Sequence, residues 1–195
     1  MSERKYLLKI QLLDIEPAIW RRFVVPANIT LDRLHDVIQI VMGWTDSHLH
    51  EFTIVKKRYT EYPESKEDGL ICGRYHLGNL IKQNGRSFHY LYDFGDSWEH
   101  ELVLEESRYF NPELRAEIVC LEGMRACPPE DVGGVPGYFE FCDVIKDINH
   151  DEHNHYMQWS GGDFDSEKFD CNTVNRELMK YICWSRNRYE DWDNT

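Results

Sequence analysis

The sequence predicts a single α+β domain, with a largely antiparallel sheet and helices packed mainly on one side. Apolar and polar residues alternate with period two before Glu106, helical spacing takes over after Tyr138, and no Ser/Gly-rich or Pro-rich linker divides residues 1–195. Strands are expected near Lys5 to Leu13 and Ile19 to Val25, paired antiparallel and separated by the break at Asp14-Ile-Glu-Pro17. A helix follows over Leu31 to Met42, with Asn28 or Thr30 as N-cap. Leu31, Leu34, Val37, Ile38, Val41 and Met42 form its buried face, and Gly43 closes it. His48, His50, Phe52 and Ile54 then alternate with Leu49, Glu51, Thr53 and Val55, so both histidines are expected on one face of a third strand. Thr60 to Cys72 reads as a loop, and Leu77 to Lys82 as a short helical piece.

The segment Tyr92-Asp-Phe-Gly-Asp-Ser-Trp-Glu-His100 reads as a hairpin. Phe88, Tyr90, Tyr92 and Phe94 alternate on one arm, Trp98, His100, Leu102 and Leu104 on the other, and Gly95-Asp96-Ser97 is the turn. Cys120 to Gly137 holds three prolines and is read as a loop without a regular element. Helices are expected at Tyr138 to Ile148, with Phe139, Cys142, Val144, Ile145 and Ile148 as core, and at Thr173 to Cys183. Asn172 caps the second, which packs through Val174, Leu178, Tyr181 and Ile182.

Composition excludes several functions. With 35 acidic against 22 basic residues the net charge is −13, so the averaged field repels duplex nucleic acid and no direct duplex binding is expected. The short basic runs Lys56-Lys57-Arg58 and Trp20-Arg21-Arg22 read as solvated strand ends. No signal peptide or apolar run of bilayer length is evident, which predicts a cytoplasmic protein without a membrane partner. The six cysteines lack a Cys-x-x-Cys pair and read as free thiols in a reducing compartment.

The hairpin turn is the expected centre of any chemistry, since it gathers Asp93, Asp96 and His100. With His48 and His50 these residues form a candidate ligand set for a divalent metal, Zn or Mn, because imidazole and carboxylate donors suit such ions. Glu130 and Asp131, in a Pro/Gly-rich loop, are the candidate catalytic acid/base residues. The alternative for all seven is structural: hydrogen bonds among themselves and to the backbone that hold turns. The run from His150 to His155 reads as a solvent-facing helix start. No Ser or Cys nucleophile motif and no phosphate loop is present.

In order along the chain, Ile19-Trp-Arg-Arg22, Leu34-His35, Gly43-Trp44 with His48-Leu-His50-Glu-Phe52, Tyr92 to His100, Cys127-Pro-Pro-Glu-Asp-Val-Gly-Gly134 with Gly137-Tyr138, and Trp159-Ser-Gly-Gly-Asp-Phe-Asp165 with Phe169-Asp170 resemble the plasmid ORF-three-like family. The resemblance spans roughly Lys5 to Leu178 and implies one α+β domain. It departs at Val132, where family members often carry a further cysteine, so it does not extend to a cysteine-based metal site. It implies no activity; some relatives bear a transposition-accessory or resolvase-like label. The leading functional expectation is a noncatalytic interaction or mobile-element accessory module with a protein partner. The alternative is a metal-dependent hydrolase or phosphoryl-transfer enzyme built on the His/Asp cluster.

Overall fold

Residues 4–65 and 67–188 are described by the computed structural model. Along them run β1 (Lys5–Leu12), β2 (Trp20–Pro26), α1 (Leu31–Met42), β3 (His50–Ile54), β4 (Lys57–Thr60), β5 (Leu70–Ile71), α2 (Leu77–Leu80), β6 (Arg86–Tyr92), β7 (Trp98–Tyr109), β8 (Val119–Met124), α3 (Gly134–Lys146), α4 (His153–Trp159) and α5 (Cys171–Arg188). All eight strands join one sheet in the order β5-β4-β3-β6-β7-β1-β2-β8. Each neighbouring pair is antiparallel except β4 with β5. No helix among the described residues is long and apolar enough to cross a membrane.

Register turns the period-two pattern into one continuous core face. His50 lies opposite Tyr92 and Tyr92 opposite Trp98; in the next row Phe52, Tyr90, His100 and Leu12 align across four strands. Leu8, Ile10, Phe23, Leu102 and Leu104 extend the same buried surface. Against it α1 lays Leu31, Leu34, Val37, Ile38, Val41 and Met42, all buried and all in the expected positions. Burying a side chain of this kind contributes roughly 1.5–3 kcal/mol. His35 and Gln39 are buried on the same helix, and Gly43 closes it in the left-handed conformation at φ 109°.

Three local expectations are corrected. First, Cys120 to Gly137 is not free of regular structure, because β8 covers its start through pairing with β2 and α3 begins at Gly134. Pro136 sits in the first turn of α3, where a missing N–H costs little. Second, α3 buries Cys142 and Val144 as expected but adds Tyr138 and Phe141, whereas Phe139 is 44% and Ile148 78% exposed. Third, α5 is capped by Asp170, not Asn172. The Asp170 carboxylate accepts from the Asn172 N–H at 2.9 Å and from the Thr173 hydroxyl at 2.6 Å, and these bonds hold its pKa below the usual value. Leu178 is buried, and Val174, Tyr181 and Ile182 pack beside it. The run from His150 to His155 opens α4, which has no buried residue.

Trp20-Arg21-Arg22 is also not a solvated strand end. Arg21 is 1% exposed and donates to the carbonyls of Val41, Trp20 and Met124, each at 2.8 Å, while its guanidinium lies 4.1 Å above the Phe169 ring. A cation from β2 thus serves one C-terminal carbonyl of α1, that of Val41, in a helix with no basic residue in its own last turn. Five cysteines, Cys72, Cys120, Cys127, Cys142 and Cys171, are free thiols; the Cys183 side chain lies outside those described. Along the edge of the sheet Asn175 of α5 bonds both backbone groups of Cys120 at 2.8 Å, which satisfies part of the open strand β8.

Candidate functional site

Three connections meet where β3 begins and β6 hands over to β7: the loop from Gly43 to Leu49, the turn from Asp93 to Ser97, and the loop from Arg125 to Gly133. The turn is internally braced. Ser97 N donates to Asp93 O at 2.7 Å, and Gly95 N to Asp93 Oδ1 at 2.8 Å, with both Asp93 and Ser97 at left-handed φ. Asp93 N donates to Leu49 O at 2.9 Å, which fastens the first loop to the turn. The third loop is pinned twice, by Trp44 Nε1 donating to Pro128 O and by Gly133 N donating to Asp96 Oδ2, each at 3.1 Å. Gly134, at φ +68°, makes the close approach possible: a Cβ there would stand 2.5 Å from Asp96 O.

This docking brings His48, Asp93 and Asp131 together. One ligand atom from each lies within 4.8 Å of the others. His48 Nε2 is 3.1 Å from Asp131 Oδ1 and 3.6 Å from Asp93 Oδ2. The nitrogen is buried and lies in ion-pair range of both carboxylates, yet it makes no hydrogen bond of acceptable direction. Asp93 is nearly covered, His48 half-buried, and Asp131 70% exposed, so the cluster opens to solvent on the Asp131 side. Asp131, like Asp93, is held at left-handed φ.

Glu130 stands beside the cluster but is occupied as an acceptor. The Tyr92 hydroxyl donates to its Oε1 at 2.5 Å, Thr45 N donates at 3.2 Å, and the Thr45 hydroxyl donates to the second oxygen. Burial opposes its ionisation, but these bonds and the nearby His48 outweigh it and hold its pKa below the usual carboxylate value. Burial and the Glu130 carboxylate in turn push the Tyr92 phenol up.

The remaining candidates lie apart from this cluster. Asp96 is spent on Gly133. His48 and His50 do not share a strand face, because β3 starts only at His50 and His48 belongs to the loop. The His50 ring faces the core, stacked on His35 with centroids 3.5 Å apart and planes 7° apart; its Nε2 lies 4.0 Å from Cys72 Sγ. His100 is fully buried among Trp44 and Tyr90, with Nδ1 donating to Tyr90 O at 3.3 Å and Nε2 unpartnered. Sequence reasoning missed Thr45, Tyr92 and Trp44 as the groups that hold Glu130 and its loop. Trp44 and Tyr92 lie within the motifs that carry the resemblance, but no spacing in the sequence linked them or Thr45 to Glu130. It also missed a second cluster of His35, Asp36 and Asp46. That one is internally paired: His35 bonds Tyr90 OH and Asp46 at 2.7 Å each, and Asp36 accepts from Tyr181 OH at 2.7 Å.

A model of the family described as plasmid pRiA4b ORF-3-like protein matches residues 4–173, which contain all three loops and the whole sheet. The chain belongs to this family. An uncharacterized family relative from Sinorhizobium fredii is 42% identical over 183 residues, covering 92% of this chain and 93% of its own. A crystal structure of a protein of unknown function from Methanosarcina mazei superposes with a TM-score of 0.78 at 36% identity, covering 88% of this chain and 98% of the other. Membership of the plasmid ORF-3-like family therefore extends to the fold, and these relatives carry no stated activity to transfer.

Proposed function

We propose that this plasmid ORF-3-like protein is a divalent-cation-dependent enzyme of hydrolysis or phosphoryl transfer, with the cation held by His48, Asp93 and Asp131. The observation that carries it is the buried His48 Nε2, which faces two carboxylate oxygens without hydrogen-bonding either. A nitrogen lone pair and two carboxylates converging from separate loops suit Zn or Mn and leave coordination positions free on the solvent side. Glu130 adds a third carboxylate near the same imidazole, negative charge that a cation would offset.

In this reading Asp131 is a ligand rather than a general base, and Glu130 orients the loop through Tyr92 and Thr45. A bound cation would supply an activated water and polarise the bond it attacks. The protein's own part is to hold three donors on loops braced against the sheet and leave one side of the cluster open.

The test is elemental analysis of protein purified without a metal-affinity tag, followed by calorimetric titration with Mn²⁺ and Zn²⁺. One cation per chain is expected. Asp93→Asn should weaken binding by at least about a hundred-fold, beyond the 10–100-fold that loss of a supporting partner costs, while the circular dichroism spectrum stays unchanged. A metal-free preparation that takes up neither ion overturns the proposal.

A further inference from the structure

Beside the cation cluster, consecutive residues build a second feature. Leu49 follows His48 and Phe94 follows Asp93, and these two side chains, with Tyr62, form the apolar wall of an open groove of about 330 Å³. Leu49 is 51%, Phe94 53% and Tyr62 72% exposed. Large apolar groups gathered at the surface mark contact sites more often than isolated ones do.

The polar lining is biased. Glu51, Glu64 and Asp68 contribute carboxylates, against Arg58 as the cation among the lining residues. Arg58 is already engaged: one guanidinium nitrogen donates to Glu67 O at 2.7 Å, and another lies 3.6 Å from Glu51 Oε2. Asp68 accepts from the Ser65 hydroxyl at 2.8 Å.

We propose that this groove binds a lysine or arginine side chain presented by a basic peptide segment of a partner protein. The aliphatic stem of such a side chain packs on Leu49 and Phe94, and its charged head meets the aromatic faces and the carboxylates together. An anionic ligand such as a nucleotide would face the Glu64 and Asp68 carboxylates with Arg58 already committed to Glu51 and Glu67. A wholly apolar ligand would strip water from those carboxylates without replacing it. The chain's net charge of −13 steers basic partners toward it. This site needs no metal and stands independently of the cation reading.

The experiment is fluorescence anisotropy with the full chain in chelator, so that the outcome is separate from that of the cation site. The probes are a labelled peptide of alternating Lys and Gly and its Glu counterpart. Saturable binding of the Lys peptide and none of the Glu peptide are expected. Phe94→Ala, and the pair Glu64→Gln with Asp68→Asn, should each weaken binding at least ten-fold. The pair Glu113→Gln with Glu117→Gln removes the same charge from exposed positions before β8, at the opposite edge of the sheet, and should leave affinity within about two-fold. Equal weakening by both charge pairs would reduce the effect to the averaged field and overturn the groove. Unsaturable binding, or indifference to Phe94→Ala, overturns it as well.

Discussion

His50 and His100 are buried as neutral imidazoles, their pKa values lowered from 6.5 to about 3, by burial in both and by neighbouring His35 in His50. The unfolded chain protonates both below about 6.5, whereas the folded chain leaves them neutral down to about 3. Between those values the unfolded state binds more protons, so stability is full above the window and falls as pH drops through it. Each histidine contributes a slope of up to about 1.4 kcal/mol per pH unit. Urea unfolding between pH 6 and 5 should therefore show a shallower decline in His100→Phe than in the native protein, by about one proton. Parallel slopes would mean that His100 ionises in the folded state. The same burial separates these two rings from His48, which sits in a loop between the covered Asp93 and the exposed Asp131.

At the scale of elements, the decisive contact is between the β6–β7 turn and the loop leading into α3. Asp96 and Gly134 bring the loop down so that Asp131 reaches His48. Gly134→Ala adds a Cβ 2.5 Å from a backbone oxygen at a φ of +68° and should destabilise the fold by about 1–3 kcal/mol. Its larger effect should be on the site: Mn²⁺ or Zn²⁺ affinity is expected to drop at least ten-fold while circular dichroism keeps its native form. An unchanged affinity in the calorimeter would show that this contact does not position Asp131. Element legibility varied for a physical reason. The face of α1 follows from its own 3.6-residue spacing, and all six expected core positions are buried. In α3 both Phe139 and Phe141 are aromatic and only packing chooses between them; Phe141 went inward, ringed by Tyr156, Trp159 and Phe164.

For the whole molecule, charge dominates the outlook toward nucleic acid. At −13 the averaged field repels phosphates, and with Arg21 buried and Arg22 paired to Glu105 and Glu122 the run Trp20-Arg21-Arg22 offers them no free basic patch. Anisotropy titration of a random duplex at about 150 mM salt is expected to give no saturable binding. Micromolar binding that weakens steeply with added salt would reverse that expectation and revive a resolvase-like role. The sequence by itself determined the α+β class, the hairpin, α1 and the inward row of aromatic residues, because alternation and helical spacing are local properties of the chain. It also named His48, Asp93, Glu130 and Asp131 as candidates, although it set His48 on the third strand and not in a loop. Tertiary structure alone decided which of those side chains meet. Where β3 starts sends His50 inward and leaves His48 in the loop; the register opposite Tyr90 buries His100; and the docking of two distant loops, through Asp96 and a glycine, sets Asp131 beside a histidine 83 residues away. Burial and loop docking depend on contacts between segments far apart in the chain, and no local periodicity records them.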